Sequence, residues 1–190
     1  RRLHLCDYNL ETIDTTSTTH DLLAEVCMAA KYEGNSINSH YTKHKETNGD
    51  SASQLCTVLA RSFADIGDIV RGKDLYLGDK KEKLDLEKKL KDIFAKIYGE
   101  LKDAKEHYKD ESRNYFQLRE DWWTANRHTV WKALTCDARD NADDKYFRKT
   151  ACGEGTTSTQ GKCRCAGANI VPTYFDYVPQ YLRWFDEWAE

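Results

Sequence analysis

Proline is almost missing from this chain: Pro172 and Pro179 are the only two in 190 residues. Long proline-free stretches rich in Lys, Glu and Leu predict a mostly helical protein. No stretch approaches 18 apolar residues, so nothing reads as a membrane-spanning helix. A signal-peptide pattern is also missing, and the chain opens at Arg1-Arg2-Leu3-His4-Leu5-Cys6 like a fragment cut from a longer one. An excess of one charge is lacking too. Lys and Arg number 29 against 32 Asp and Glu, a net charge of −3, which argues against a general nucleic-acid binder. No N-x-S/T glycosylation site occurs.

Catalytic signatures are equally scarce. There is no H-E-x-x-H, no G-x-S-x-G and no Rossmann glycine pattern. Gly67–Lys73 fits G-x4-G-K on paper, but Asp74 stands where a phosphate loop needs Ser or Thr for magnesium. The six histidines are scattered over polar segments. His40 and His44, four apart, lie in a stretch that reads as a polar loop. The chain is expected to be no enzyme and to carry no cofactor.

What is present in unusual number is cysteine: Cys6, Cys27, Cys56, Cys136, Cys152, Cys163 and Cys165. That usage points to an oxidising compartment. Seven is odd, so one cysteine lacks an internal partner, and Cys6 at the edge is the candidate. The other six pair in 15 possible ways. A bridge closing about 15 residues, such as Cys136–Cys152, stabilises by about 3 kcal/mol in the chain-entropy model. Zinc is the rival reading for Cys136, Cys152, Cys163 and Cys165. No C-x2-C pair occurs and Cys163-Arg164-Cys165 is tight for a zinc knuckle, so disulfides are preferred.

Apolar periodicity places the helices. Asp21–Glu33 carries Leu22, Leu23, Val26, Cys27 and Ala30 on one stripe, with Thr18 or Thr19 as a cap and Gly34 as a stop. Asn35–Asp50 reads as a loop. Asp50–Ile66 reads as a second helix on Leu55, Leu59, Phe63 and Ile66, with a turn or break between Gly67 and Gly72. Residues 79–111 hold ten Lys and ten Asp or Glu around a stripe from Leu86 to Leu101, a charged amphipathic helix that Gly99 interrupts. Asn114–Leu134 reads as a long helix in which Trp122 and Trp123 point about 100° apart. Cys136–Ala168 is irregular and Cys-rich. A final helix after Pro179, capped by Asp176, puts Tyr181, Trp184, Phe185 and Trp188 on a stripe expected to be core.

Basic clusters are the candidate contacts for a partner. Lys80, Lys81, Lys88, Lys89 and Lys91 lie on the charged helix, and Arg148 and Lys149 in the irregular segment. Such clusters attract sulfated glycans, although interleaved acids weaken the field.

Three strings carry a resemblance: Arg61–Gly72 (RSFADIGDIVRG), Trp122–Arg127 (WWTANR) and Pro172–Phe185 (PTYFDYVPQYLRWF). With Leu22–Gly34 and Leu55–Leu59, they closely resemble the Duffy-binding-like domain, in its alpha class, of the Plasmodium falciparum erythrocyte membrane protein 1 family. The resemblance implies a disulfide-linked helical adhesion bundle with a Cys-rich irregular loop. It implies display on the outer face of the infected red cell, anchored by a transmembrane segment further along the protein. Its implied partners are a host receptor protein or a sulfated or blood-group glycan, antibodies, and adjacent domains of the same chain. Its implied role is cytoadhesion or rosetting under antigenic variation, or alternatively that of a spacer supporting a neighbouring binding domain. It assigns residues 1–20 to the end of a first subdomain and 21–190 to a helical second one, with a third missing. It pairs Cys6 with an upstream cysteine. It joins Cys56 to Cys163 or Cys165 and gives Cys27 the other.

Overall fold

The computed structural model describes residues 6, 8–14, 18–48, 53–75, 80–138, 152, 163–165 and 169–189. These form six α-helices: α1 (Tyr8–Glu11), α2 (Thr19–Asn48), α3 (Ser53–Arg71), α4 (Lys80–Glu100), α5 (Phe116–Leu134) and α6 (Gln180–Ala189). Short 3-10 turns occupy Asp103–Glu106 and Phe175–Tyr177. No strand occurs among the described residues. The protein is the mostly helical, disulfide-linked bundle that composition and resemblance imply.

α3 is the central element. Leu55, Leu59, Phe63, Ala64 and Val70 are completely buried, because the apolar positions step around one broad face. α5 lies against it. Trp123 and Trp131 both pack on Phe63, with ring centroids 5.1 Å away in each case. The adjacent Trp122 points elsewhere and meets Phe94 of α4 edge-on at 6.1 Å. Two neighbouring tryptophans thus tie one helix to two others. α1 falls within the residues expected to close a first subdomain, yet Leu10 and Ile13 are buried in this same core.

Two expectations are corrected along α2. The helix does not stop at Gly34, and Asn35–Asn48 is not a loop, since α2 runs on to Asn48. Ile37 is buried, Tyr41 packs on the core, and Asn38 donates to the Asp137 carbonyl at 2.8 Å. Tertiary contacts override the turn-like composition. Gly34 serves another purpose: a Cβ there would lie 1.9 Å from the Leu134 carbonyl oxygen, so only glycine lets α2 and α5 approach this closely. The start of α2 follows the expected chemistry. Thr18 Oγ1 accepts from the Asp21 amide and Asp21 Oδ2 accepts from the Thr18 amide, a reciprocal cap.

α3 also outruns its predicted end, passing through Gly67, where Trp123 leaves no room for a Cβ. It closes on Gly72 at φ +72°, with Gly72 N–H donating to Ile69 and Lys73 N–H to Asp68, a Schellman close. The apparent phosphate-loop string is therefore a helix end. α4 stops at Glu100, one residue past Gly99, and the charged helix does not reach residue 111.

The largest correction concerns α6. Its aromatic stripe is split: Tyr181 is 58% exposed and Phe185 72%, Trp184 is half-buried, and Gln180 and Arg183 are 4% and 2% exposed. Trp188 lies outside the residues whose side chains are described. The helix is polar side inward. Asp176 does not cap it either, being drawn under it into the buried network described next.

Candidate receptor-binding surface

The exposed surface is presented by a frame of buried charge. Arg183 of α6 reaches Asp65 at 2.9 Å and Asp68 at 2.5 Å, both on α3. Arg71 pairs with Asp68 at 2.8 Å and also donates to the Asp176 carbonyl and, at 3.0 Å, to the Gly67 carbonyl. Asp176 accepts Trp123 Nε1 at 2.9 Å and two guanidinium nitrogens of Arg127 at 2.8 and 2.7 Å. Arg183 also donates to the Val178 carbonyl at 2.6 Å, and Gln180 bonds Asp74 and the Leu75 amide. These bonds fix the roll of α6. Tyr181, Leu182 and Phe185 thereby turn outward, while Trp184 stays half-buried.

Burial pushes the Asp68 carboxyl up to about 6, outweighing the pull of Arg183 and Arg71. A carboxylate with a raised folded-state value contributes stability that is present below about 4 and lost as pH rises through about 6. Arg183 and Arg71 keep their other partners when Asp68 is neutral. Asp68→Asn is therefore expected to fold. Between pH 5 and 7.5 it should lack a fall in stability of about 1.4 kcal/mol that the native chain shows. Urea denaturation at both pH values checks this, and parallel curves for the two proteins would contradict it.

The segment above the frame exposes several apolar groups: Tyr174 at 71%, Tyr177, Val178, Tyr181, Leu182 and Phe185. Tyr174 and Tyr177 sit 6.4 Å apart with Arg127 over both rings. Monomeric proteins rarely leave such contiguous patches bare, and they mark interaction sites.

The lysines expected to make contact are divided by the structure. Lys81 and Lys88 are exposed, but Asp85 and Asp92 lie between and beyond them at spacings of four, three and four. That face alternates in sign and draws a polyanion weakly. Lys89 turns inward to donate to the Glu11 carbonyl. Lys91 stands 3.9 Å from Glu87, itself held at 2.8 Å by Arg119. Lys80 is on α4, its side chain outside the described set, and Arg148 and Lys149 lie outside the described residues.

The cysteines are partly re-paired. Cys56 joins Cys163, one of the two pairings the resemblance left open. Cys152 joins Cys165, so neither Cys136–Cys152 nor Cys27–Cys165 is formed. Cys27, half-buried with its thiol pushed up by burial, and exposed Cys136 carry thiols, so the expected third internal bridge is not in this structure. Cys6 is placed by its amide, which donates to Glu33 at 3.1 Å. The two bridges consume three of the four sulfurs a zinc site would need. Among the described residues no cluster of three or more metal-ligating groups occurs. No described helix is long and apolar enough to cross a membrane.

Residues 1–183 match the Duffy binding domain. The chain belongs to that family of binding domains. Solved relatives agree with it in fold. The NTS-DBL1-alpha and CIDR-gamma double domain of PfEMP1 from the Plasmodium falciparum varO strain is 51% identical. It superposes with a TM-score of 0.79 over 98% of this chain and 26% of that one. A PfEMP1 DBLβ domain solved bound to human ICAM-1 is 32% identical, with a TM-score of 0.72 over 98% of this chain and 38% of that one. The IT4var13 DBLβ domain, also bound to ICAM-1, is 34% identical, with a TM-score of 0.74 over 98% and 42%. This chain thus spans between about a quarter and two fifths of those Duffy-binding structures. None of the curated proteins matches it.

Sequence reasoning missed the exposure of Tyr181 and Phe185, and it missed Arg183 as an inward residue. A signal was available: Gln180 and Arg183 share one side of α6, as Asp65 and Asp68 share one side of α3, three residues apart in each pair.

Proposed function

We propose that this chain is part of a host-cell adhesion module of a variant surface antigen, displayed on the outer face of the infected red cell. In this reading it binds a host receptor during cytoadhesion or rosetting. The observation that carries it is the outward aromatic side of α6, held in place by buried ion pairs. Relatives solved with human ICAM-1 support a protein receptor as the partner class. Antibody recognition and antigenic variation follow from the same exposure, because solvated surface residues change without disturbing the core. The division into residues 1–20 and 21–190, and an anchor elsewhere in the protein, belong to this proposal.

The same face favours a second reading, a spacer whose α6 seats an adjacent domain of its own polypeptide. One experiment separates the two. Labelled chain is titrated onto red cells and endothelial cells, with Tyr181→Ser/Phe185→Ser alongside. Both side chains are exposed, so the variant keeps its fold. Adhesion predicts saturable binding that falls at least tenfold in the variant. Binding that is strong and unaffected would place the receptor contact elsewhere and leave α6 to the spacer role.

A further inference from the structure

A crevice of about 270 Å³ opens at the corner where the end of α3, the first half of α4 and the start of α5 meet. Ile69, Leu86 and Leu90 form its floor, and all three are buried. Leu84 and Phe116 stand on its rim and project outward, 59% and 46% exposed. Leu84 falls off the stripe of Leu86, Leu90, Ile93 and Phe94 that α4 turns to the core, and Phe116 precedes the first buried residue of α5, Leu118. Leu75, next to the lining residue Asp74, is exposed as well. The corner therefore carries an apolar hollow and apolar projections side by side.

The walls are held in place. Behind the floor, Arg119 joins Glu87 of α4 to the Ile69 and Val70 carbonyls of α3. Ahead of Phe116, the Asp110 carboxylate accepts the Ser112 and Tyr115 amides at 2.8 and 2.7 Å and fixes the turn from which α5 starts. A surface fixed in this way needs little reordering when a partner seats on it. The two walls also carry opposite charge. Asp74, on the α3 side, accepts from Gln180 Nε2 at 2.7 Å, a neutral amide that does not cancel its charge. Lys91, on the α4 side, stands 3.9 Å from Glu87, both of whose oxygens Arg119 holds. A hollow beside its own projections, with an anion across from a cation, is complementary to itself: after a half-turn each group meets its counterpart. A net charge of −3 opposes such pairing little.

We propose that this corner is a self-association surface, occupied by the same corner of a second copy of this chain. The contact is isologous. Leu84 of each copy packs on Phe116 of the other at the mouth of the crevice, and Lys91 of each faces Asp74 of the other. Few side chains take part, which places the contact at the small end of protein interfaces, with a Kd of about 10–100 µM. Tyr181 and Phe185 of α6 have no share in it. It stands whether or not α6 carries adhesion.

The test is sedimentation equilibrium of the full chain over concentrations spanning that Kd, with Leu84→Asp and Phe116→Lys alongside. Both side chains are exposed, so each variant keeps its fold. The native chain is expected to pass from monomer to dimer, and each variant alone to dimerise at least tenfold more weakly. Mixed one to one, the two variants should regain the dimer. In the mixed pair the introduced carboxylate meets the introduced ammonium at one contact, and native Leu84 meets native Phe116 at the other. Tyr181→Ser/Phe185→Ser should dimerise like the native chain. A native chain that stays monomeric, or single variants that dimerise undiminished, would overturn the proposal. So would a mixture that stays monomeric, or a dimer lost in the α6 variant, which would move the contact to α6.

Discussion

Replacing Arg119 by methionine is expected to cost about 3–5 kcal/mol of stability. Arg119 is fully buried at the junction of three helices. From α5 it donates to both carboxylate oxygens of Glu87 on α4, at 2.8 and 2.9 Å. It also donates to the Val70 and Ile69 carbonyls at 2.6 and 3.1 Å, which are among the open carbonyls at the end of α3. Methionine fills the volume but satisfies none of these acceptors. The Val70 carbonyl and a half-buried carboxylate lose this donor, and the Ile69 carbonyl keeps only the Gly72 amide. A urea midpoint shifted by the equivalent of several kcal/mol, at unchanged slope, is the expected result. A change below about 0.5 kcal/mol, the usual range of a surface substitution, would contradict it.

The second large effect belongs to the Cys56–Cys163 bridge. Its cysteines are 107 residues apart, against 13 for Cys152–Cys165. In the chain-entropy account a loop of about 100 residues is worth about 4.7 kcal/mol and one of about 15 residues about 3 kcal/mol. Cys56→Ala is therefore expected to destabilise more than Cys165→Ala, by between one and two kcal/mol. Cys56 is also completely buried on the core face of α3, so its loss removes packing as well as the cross-link. Parallel urea titrations of the two variants check the order. A reversed order would mean that the short bridge, not the long one, restrains the unfolded chain.

How much of this was legible in the sequence follows from the range of the forces involved. The helices α3 and α5 were legible because their apolar positions repeat locally at helical spacing. The far half of α2 was not. Gly34, Asn35 and Asn38 have the composition of a turn, and what favours the helix there lies far along the chain: the close approach of α5 at Gly34 and the Asp137 carbonyl, 99 residues away, that accepts from Asn38. α6 was located correctly and turned the wrong way. Its aromatic stripe gives a helical period, but a period does not say which side meets the protein. The partners that draw Arg183 inward, Asp65 and Asp68, are 118 and 115 residues distant. The same holds for Lys89, whose inward turn depends on the Glu11 carbonyl of another helix. By contrast, the alternation of Lys81, Asp85, Lys88 and Asp92 was readable from spacing alone, as was the weakening of that face's field by the interleaved acids.

The family strings Arg61–Gly72, Trp122–Arg127 and Pro172–Phe185 now have a physical meaning. They supply Asp65, Asp68, Arg71, Trp123, Arg127, Asp176 and Arg183, which together form the buried network under α6. The recognisable residues are those that orient the exposed ones.

The central claim is that a cross-linked, charge-braced helical frame holds an adhesive surface toward the host cell. It is tested most directly by one binding isotherm on intact red cells and endothelial cells, recorded for the oxidised protein, for the same protein reduced, and after reoxidation. The account predicts saturable binding that disappears on reduction and returns on reoxidation. Binding that is equally strong in the reduced, unfolded chain would show that no folded surface is needed and would contradict it.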